Sequence, residues 1–341
     1  MNKRALRADI LLLFTAAIWG FGFVAQRSGM EYVGPFAFNG IRFILGSLSL
    51  FPFIIFRRRR SVTGVVPPRR LILSSLAAGG CLFVAVILQQ MGIIFTTAGN
   101  AGFITGLYVV LTPIFGIFLG RKTGPATWLG SVLTLIGLYF ISAAGRGDSI
   151  NPGDIIVFIS AFFWTAHVLL IDRLMSNRQK EHLIDPLELS AGQFAVCGIL
   201  SMFGAFLAEP FVSTAVERID PSLLSAGLFA WQPFPAFVAA LGAGTLRISV
   251  DALIPILYGG LGSVGIAYTL QVIAQRDAPP AHATIILCFE GCFAALGGVL
   301  LLSEKIGIWT LLGFVFMLAG MLATQWEVIS KGKDTSAAND I

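Results

Sequence analysis

Charged residues are scarce in this sequence. They make up 12% of its 341 residues, whereas 56% of the residues are hydrophobic and the mean hydropathy is +0.84. So little polar surface cannot cover a water-soluble globule of this size. The composition therefore excludes a soluble globular protein and indicates a chain embedded in lipid, where each span must satisfy its own backbone hydrogen bonds.

Histidine and cysteine are also scarce, and their spacing argues against a catalytic or metal centre. The histidines are His167, His182 and His282, and the cysteines are Cys81, Cys197, Cys288 and Cys292. No HExxH, CxxC or zinc-type spacing occurs, and no P-loop GxxxxGK[ST] is present. An intramembrane enzyme would need clustered histidines, paired carboxylates or a metal set. We therefore predict no enzyme activity, no catalytic residues, no metal site and no cofactor, and no drive by ATP.

Ten apolar segments are long enough to cross a bilayer, whose hydrocarbon core of roughly 30 Å needs about 20 helical residues. They cover approximately residues 9–26, 36–56, 71–97, 101–120, 126–142, 154–175, 187–207, 252–275, 281–302 and 306–325. Gln232, Pro233 and Pro235 interrupt the apolar part of 210–251, which we therefore predict to be a long periplasmic loop and not an eleventh span. The polar residues 327–341 are predicted to form a disordered cytoplasmic tail.

The order of short sequence patterns reveals an internal duplication. The stretch from Leu88 to Pro113 returns in a looser form from Leu270 to Gly291, which places Asn100 opposite His282. The flanks repeat as well, because LLLFTAAIWGFGF resembles IIVFISAFFWTAH and FNGIRFILG resembles SAGQFAVCG. The two repeats cover residues 8–144 and 154–326, and a periplasmic turn at 145–153 joins them.

Five spans in each repeat mean that the second repeat starts on the opposite side of the membrane from the first. The predicted fold is an all-α polytopic membrane protein with ten transmembrane helices arranged as two inverted five-helix repeats. Such repeats meet near the bilayer midplane, and many secondary transporters build there a site that opens to each side in turn.

The net charge of +5 is explained by membrane topology. Of the 23 basic residues, 17 fall in the tails and loops on the side where the chain begins, and 5 fall on the opposite side. The positive-inside rule places the side richer in basic residues, and with it both termini, in the cytoplasm. We therefore expect membrane lipid around the chain and no nucleic acid partner.

Polar and aromatic residues inside the spans are the candidate site residues, because polar groups in hydrocarbon are costly and usually functional. The predicted substrate-binding residues are Trp19, Asn39, Arg42, Gln89, Asn100, Tyr108, Trp164, Gln193, Tyr268 and Gln271. The predicted coupling residues are Glu290, His167 and His282. Structural alternatives stay open: the amides can bond helices together, the histidines can be packing residues, Arg42 can have a structural partner, and Glu290 can either carry a proton or pair with Arg42.

Small residues spaced four apart also occur in the fourth span. Gly102 with Gly106 and Gly116 with Gly120 fit the small-xxx-small pattern of close helix contacts. We therefore predict helix interfaces at these four glycines.

Several motifs, in their order along the chain, resemble those of the drug/metabolite transporter superfamily, and within it the EamA-domain (RhaT-like) permeases of bacteria. They are Trp19-Gly20, the FNGIRF segment with Arg42, the run ending LTP at Pro113, AYTLQVIAQRDAPPAHATIIL and LLLSEKIG. The resemblance covers nearly the whole chain. It implies a permease of the bacterial inner membrane, often an exporter of amino acids, other metabolites or toxic compounds, that works by alternating access.

These observations together predict a secondary transporter that exports a small metabolite, such as an amino acid or a drug-like compound. Its partner is a small-molecule substrate, with protons as the candidate coupling ion. The alternative is a carrier or flippase for a lipid or a lipid-linked headgroup, since the same architecture serves either cargo.

Overall fold

A computed structural model describes residues 3–29, 33–60, 67–96, 98–142, 151–175, 184–209, 211–212, 250–302 and 307–337. Within these ranges the chain is helical, with short turns and no strand. Eight helical segments are long and apolar enough to cross a bilayer, and two shorter apolar helices, Pro125–Phe140 and Ile308–Thr324, complete the ten predicted spans. The prediction of an all-α polytopic membrane protein is confirmed.

The first five spans are built from six helices. These are α1 (Lys3–Gly29), α2 (Pro35–Arg60), α3 (Pro68–Phe95), α4 (Ala98–Gly106), α5 (Tyr108–Phe118) and α6 (Pro125–Ser142). The fourth span is therefore broken at Leu107, between α4 and α5. Prolines at first helical positions, as in α3, suit a helix start, because proline lacks an N–H that would be unpaired there in any case.

The second five spans contain more irregular backbone. They are α7 (Pro152–Met175), α8 (Pro186–Leu207), α9 (Val250–Leu257), a π-helical segment (Tyr258–Tyr268), α10 (Thr269–Ala274), α11 (Pro280–Leu287), α12 (Glu290–Leu302) and α13 (Ile308–Ala337). The eighth span consists of α9, the π-helical segment and α10. The ninth span is broken between α11 and α12, at the position equivalent to the break in the fourth.

Helix contacts follow the duplication. The first span (α1) packs against the eighth and ninth, and its counterpart, the sixth (α7), packs against the third and fourth. The second span contacts the seventh (α2 with α8) and the fifth contacts the tenth (α6 with α13), which are pairs that exchange places when the repeats are swapped. This contact pattern is that of two five-helix repeats, and the odd number of crossings in each makes them opposite in orientation.

Three segments differ from, or lie outside, the sequence predictions. The last helix, α13, continues to Ala337 through most of the predicted disordered tail, because 327–337 contains no proline and a single glycine to stop helix propagation. Residues 338–341 lie outside the described residues. So do nearly all of the predicted loop 210–251 and residues 145–150 of the predicted turn.

The glycine prediction is wrong for three of its four positions. A Cβ added to Gly102 or Gly120 would meet nothing within 4 Å, and one added to Gly116 would make only ordinary contacts. Only at Gly106 would an added Cβ clash, 2.5 Å from Leu138. The pattern identified small residues but could not tell which of them face a neighbouring helix.

Close backbone approach occurs instead between α6 and α13. A Cβ on Gly130 would lie 2.7 Å from the carbonyl oxygen of Gly320, and one on Gly137 would lie 2.7 Å from that of Gly313. We expect Gly130→Leu to lower the free energy of unfolding by about 1–3 kcal/mol, because backbone on both helices must separate. Thermal unfolding in detergent measures the change. The matched control is Gly80→Leu, whose Cβ meets nothing within 4 Å, and equal losses in both variants would contradict the packing argument.

Candidate functional site

A small cavity lies in the middle of the bundle, lined by residues of both repeats. Eight of the thirteen predicted site residues line it, and they are Trp19, Arg42, Gln89, Tyr108, Trp164, Tyr268, Gln271 and Glu290. The remaining lining residues, which sequence reasoning missed, are Phe23, Gln26, Thr105, Val168, Ser263 and Leu287. Seven of the ten spans contribute side chains, so the cavity depends on both halves of the chain.

Three aromatic rings form one wall of this cavity. The ring of Tyr268 lies 4.5 Å from that of Trp19 and 6.0 Å from that of Trp164, centroid to centroid, and the Trp164 and Tyr268 rings are stacked. The indole N–H of Trp19 donates to the carbonyl oxygen of Ser263 at 3.3 Å. The two tryptophans come from matching segments of the two repeats, and their rings lie 6.5 Å apart, so the three rings form one cluster. Together these rings offer an apolar aromatic wall to a ligand.

Arg42 introduces a positive charge into the same cavity. Its side chain is only 2% exposed, and its Nε donates to Oδ1 of Asn39 at 2.8 Å. The guanidinium lies 5.0 Å from the ring centroid of Phe43 and 5.4 Å from that of Phe38, within range of cation–π attraction. Among the described residues it forms no ion pair, so its terminal nitrogens have no carboxylate partner within the bundle. Asn39 does not line the cavity but orients Arg42.

Glu290 and Tyr108 face the cavity at the two helix breaks. Glu290 is the first residue of α12 and Tyr108 is the first residue of α5, and these positions are equivalent in the two repeats. The breaks touch each other, since Sγ of Cys288 donates to the carbonyl oxygen of Gly106 at 3.6 Å. Glu290 is 6% exposed, and its carboxyl group makes no hydrogen bond or ion pair with another described residue. The alternative in which Glu290 pairs with Arg42 is therefore not the arrangement in this structure.

The side-chain amides that line the cavity differ in whether they have hydrogen-bond partners. The amide N–H of Gln89 donates to the hydroxyl of Thr105 at 2.9 Å, which joins α3 to α4. The side-chain oxygen Oε1 of Gln271 is buried and has no partner among the described residues. Buried polar groups are normally paired, so the Gln271 oxygen is available to a ligand or to water.

Of the five other predicted site residues, four do not line the cavity. His167 and Gln193 bond each other at 2.9 Å between α7 and α8, both fully buried. His282 lies at the face of the bundle where α1 begins, which we call the amino-terminal face, and is 2.7 Å from Oδ1 of Asp9. Asn39 supports Arg42, as described above. Asn100 lies in α4, and its side chain is outside the described residues.

Sequence reasoning missed Ser263 because it lies in the π-helical segment, where residue spacing follows neither a regular α-helix nor a strand. That segment, YGGLGSVGIAY, contains four glycines, and a Cβ on Gly260 would lie 2.6 Å from Leu45 of α2. The glycine density was the signal available in the sequence, since π-helical turns and small residues concentrate where helices approach closely around sites. Among the described residues, no group of three or more His, Cys, Asp or Glu could hold a metal ion.

Comparison with known proteins gives a consistent result. The EamA-like transporter family matches residues 6–143 and 210–325. A protein named uncharacterized transporter from Archaeoglobus fulgidus is 26% identical over 302 residues, which cover 88% of this chain and 80% of that protein. The uncharacterized inner membrane transporter YedA of Escherichia coli K12 is 23% identical over 297 residues, 79% of this chain and 92% of that protein.

The fold also matches a solved structure. One crystal structure superimposes with a TM-score of 0.69 and covers 93% of this chain and 96% of that one, at 16% sequence identity. At that identity the match shows a shared fold alone, and the chemistry of the site must come from the residues of this chain.

Proposed function

This chain belongs to the EamA-like transporter family, and we propose that it is a secondary transporter that exports a small organic anion across the bacterial inner membrane by alternating access. It is a multi-pass membrane protein of a transporter family, and the relatives named above are themselves called transporters. The observation that carries the proposal is the central cavity. It is built from both repeats and contains an aromatic wall, together with a cation and a carboxyl group that form no ion pair with the described residues.

Alternating access is supported by the contact pattern of the repeats. The contacts α1 makes with the eighth and ninth spans have counterparts in those α7 makes with the third and fourth. Two arrangements related by exchange of the repeats would therefore have similar contacts and similar free energies, with the cavity opening to opposite sides. The touching helix breaks at Gly106 and Cys288 lie where such a rearrangement would bend the chain.

The substrate class follows from Arg42. A guanidinium within hydrocarbon is costly unless it has a partner, and the described residues supply only Asn39 and two aromatic rings. A carboxylate or phosphate of the substrate would supply the missing partner by accepting two parallel hydrogen bonds from the Arg42 guanidinium. The rings of Trp19, Trp164 and Tyr268 would then pack against an apolar body, and Gln271 would accept a hydrogen bond.

Glu290 is the residue we assign to proton coupling. It faces the same cavity as Arg42, at the helix break of the ninth span, and has no described partner. A proton taken up by Glu290 from one side and released to the other would exchange against the substrate. His167 and His282 are less suited to this role because both lie outside the cavity and bond to other protein groups.

The orientation is also part of the proposal. By sequence, 17 of the 23 basic residues fall in tails and loops on the side where the chain begins, which supports placing that side and both chain ends in the cytoplasm. Export then means capture of substrate at that side.

Transport in proteoliposomes containing a pH-sensitive dye tests the proposal. The candidate cargoes are amino acids, other carboxylates, phosphate esters, nucleosides, sugars and cationic drugs, with protein-free liposomes as the control. We expect only compounds carrying a carboxylate or phosphate to move, together with a proton signal. Movement of cations or neutral solutes alone would overturn the anion assignment. Movement of a fluorescent lipid analogue, with no soluble cargo moved, would instead establish the lipid carrier.

A further inference from the structure

A second pocket lies at the amino-terminal face, away from the central cavity. It is formed by the start of α1, the end of α2, the start of α8 and the turn after α10. Three arginines from three different parts of the chain line it, and they are Arg7, Arg57 and Arg276. The proposed transport cycle does not use any of them.

The carboxylates around this pocket only partly offset the three positive charges. Asp277 lines the pocket, and Asp185 Oδ2 lies 3.1 Å from Arg57 Nε. Counting both carboxylates, the group still carries one net positive charge. Arg276 donates to the carbonyl oxygen of Ile184 at 3.3 Å, which fixes it beside the start of α8.

Of the three arginines, Arg276 is partly buried, whereas Arg7 and Arg57 are exposed at the rim of the pocket. Burial lowers the pKa of Arg276, and the nearby charge of Arg57 lowers it further, against the opposing effect of Asp185 and Asp277. Basic residues that only fix membrane orientation can remain spread out in water. The neighbouring Arg58 does not line the pocket and pairs with Glu188 at 2.7 Å. Arg57 and Arg58 are similarly exposed, at 55% and 65%, so their position relative to the pocket is what distinguishes them. Convergence of like charges on one concave surface indicates an anionic ligand.

We propose that this pocket binds a phosphate group, carried either by an anionic phospholipid headgroup or by a soluble phosphate. Guanidinium groups bind phosphate oxygens through paired, charge-assisted hydrogen bonds. The surroundings suit a lipid as the source, because α1 and α2 expose Ile10 and Phe53 beside the pocket, where acyl chains would lie. Basic pockets at this level of a membrane protein are suited to anionic headgroups.

Binding measurements on the purified full-length chain in detergent test the proposal. The probes are short-chain phosphatidylglycerol, short-chain phosphatidylcholine and inorganic phosphate at constant ionic strength. We expect saturable binding of phosphatidylglycerol or inorganic phosphate, weakened at least about tenfold by Arg276→Gln and by Arg7→Gln. The matched control is Arg58→Gln, which removes the same charge outside the pocket and should bind as the original chain does.

The probes also distinguish the two sources. Phosphatidylglycerol binding more tightly than both other probes identifies a lipid headgroup, whereas equal binding of inorganic phosphate identifies a soluble ligand. The proposal is overturned if no probe saturates, if Arg58→Gln weakens binding as much as the pocket variants, or if a folded Arg276→Gln or Arg7→Gln chain binds normally. Thermal unfolding of each variant establishes that it is folded.

Discussion

Replacing Glu290 with glutamine is expected to abolish substrate-dependent proton movement, down to the leak of protein-free liposomes, while substrate still binds. Glutamine keeps the shape and polarity of the side chain but cannot take up and release a proton. Glu290 faces the central cavity and has no described partner, so no structural ion pair is lost with it. The dye signal in proteoliposomes measures coupling, and titration of the same substrate onto purified protein measures binding.

The control for this experiment is Glu188→Gln. Glu188 lies at the amino-terminal face, where it pairs with Arg58 at 2.7 Å, and it does not line the cavity. Its replacement changes the charge by the same amount and should leave coupling intact. If Glu290→Gln moves protons with substrate as the original chain does, Glu290 is not the coupling residue. If the original chain and Glu290→Gln move substrate equally and neither produces a pH change, the carrier is a facilitator or an exchanger.

For this chain, sequence reasoning correctly predicted the features that the bilayer requires of every span. The need for about 20 apolar residues per crossing fixes the number and order of the spans, and the structure confirms them. The duplication added more, because it implied a shared position for Trp19 and Trp164, whose rings lie 6.5 Å apart. The free-energy cost of placing a charged side chain in hydrocarbon also identified Arg42 and Glu290 as residues that must face the interior.

Which helix lies opposite each side chain could not be predicted from a single span. His167 is three residues from Trp164 and lies on the same side of α7, yet α8 places Gln193 against it and removes it from the cavity. The glycine pattern failed for the same reason, since small residues were found at Gly102 and Gly120 but close contact occurs at Gly130 and Gly137. Such contacts depend on how helices pack in three dimensions, and the spacing of residues along one helix carries no information about its partner.

Replacing Arg42 with glutamine is expected to weaken substrate binding while leaving the fold as stable as before, or more stable. Loss of a buried charged partner costs about 2–5 kcal/mol of binding free energy, so the dissociation constant should rise by at least about 30-fold. A buried charge without a counterion is itself unfavourable, and its removal is often neutral or stabilising. If Arg42 served the fold through Phe38 and Phe43, the same change would instead lower stability by about 0.5–2 kcal/mol.

The two measurements therefore separate a substrate-binding Arg42 from a structural one. Weaker binding with an unchanged or higher thermal midpoint is the expected result, and normal binding with a lower midpoint would contradict it. Arg42→Lys adds a second comparison, because lysine keeps the charge but cannot form two parallel hydrogen bonds to a carboxylate or phosphate. We expect Arg42→Lys to bind more weakly than the original chain and more tightly than Arg42→Gln, since charge alone recovers only part of what the planar guanidinium supplies.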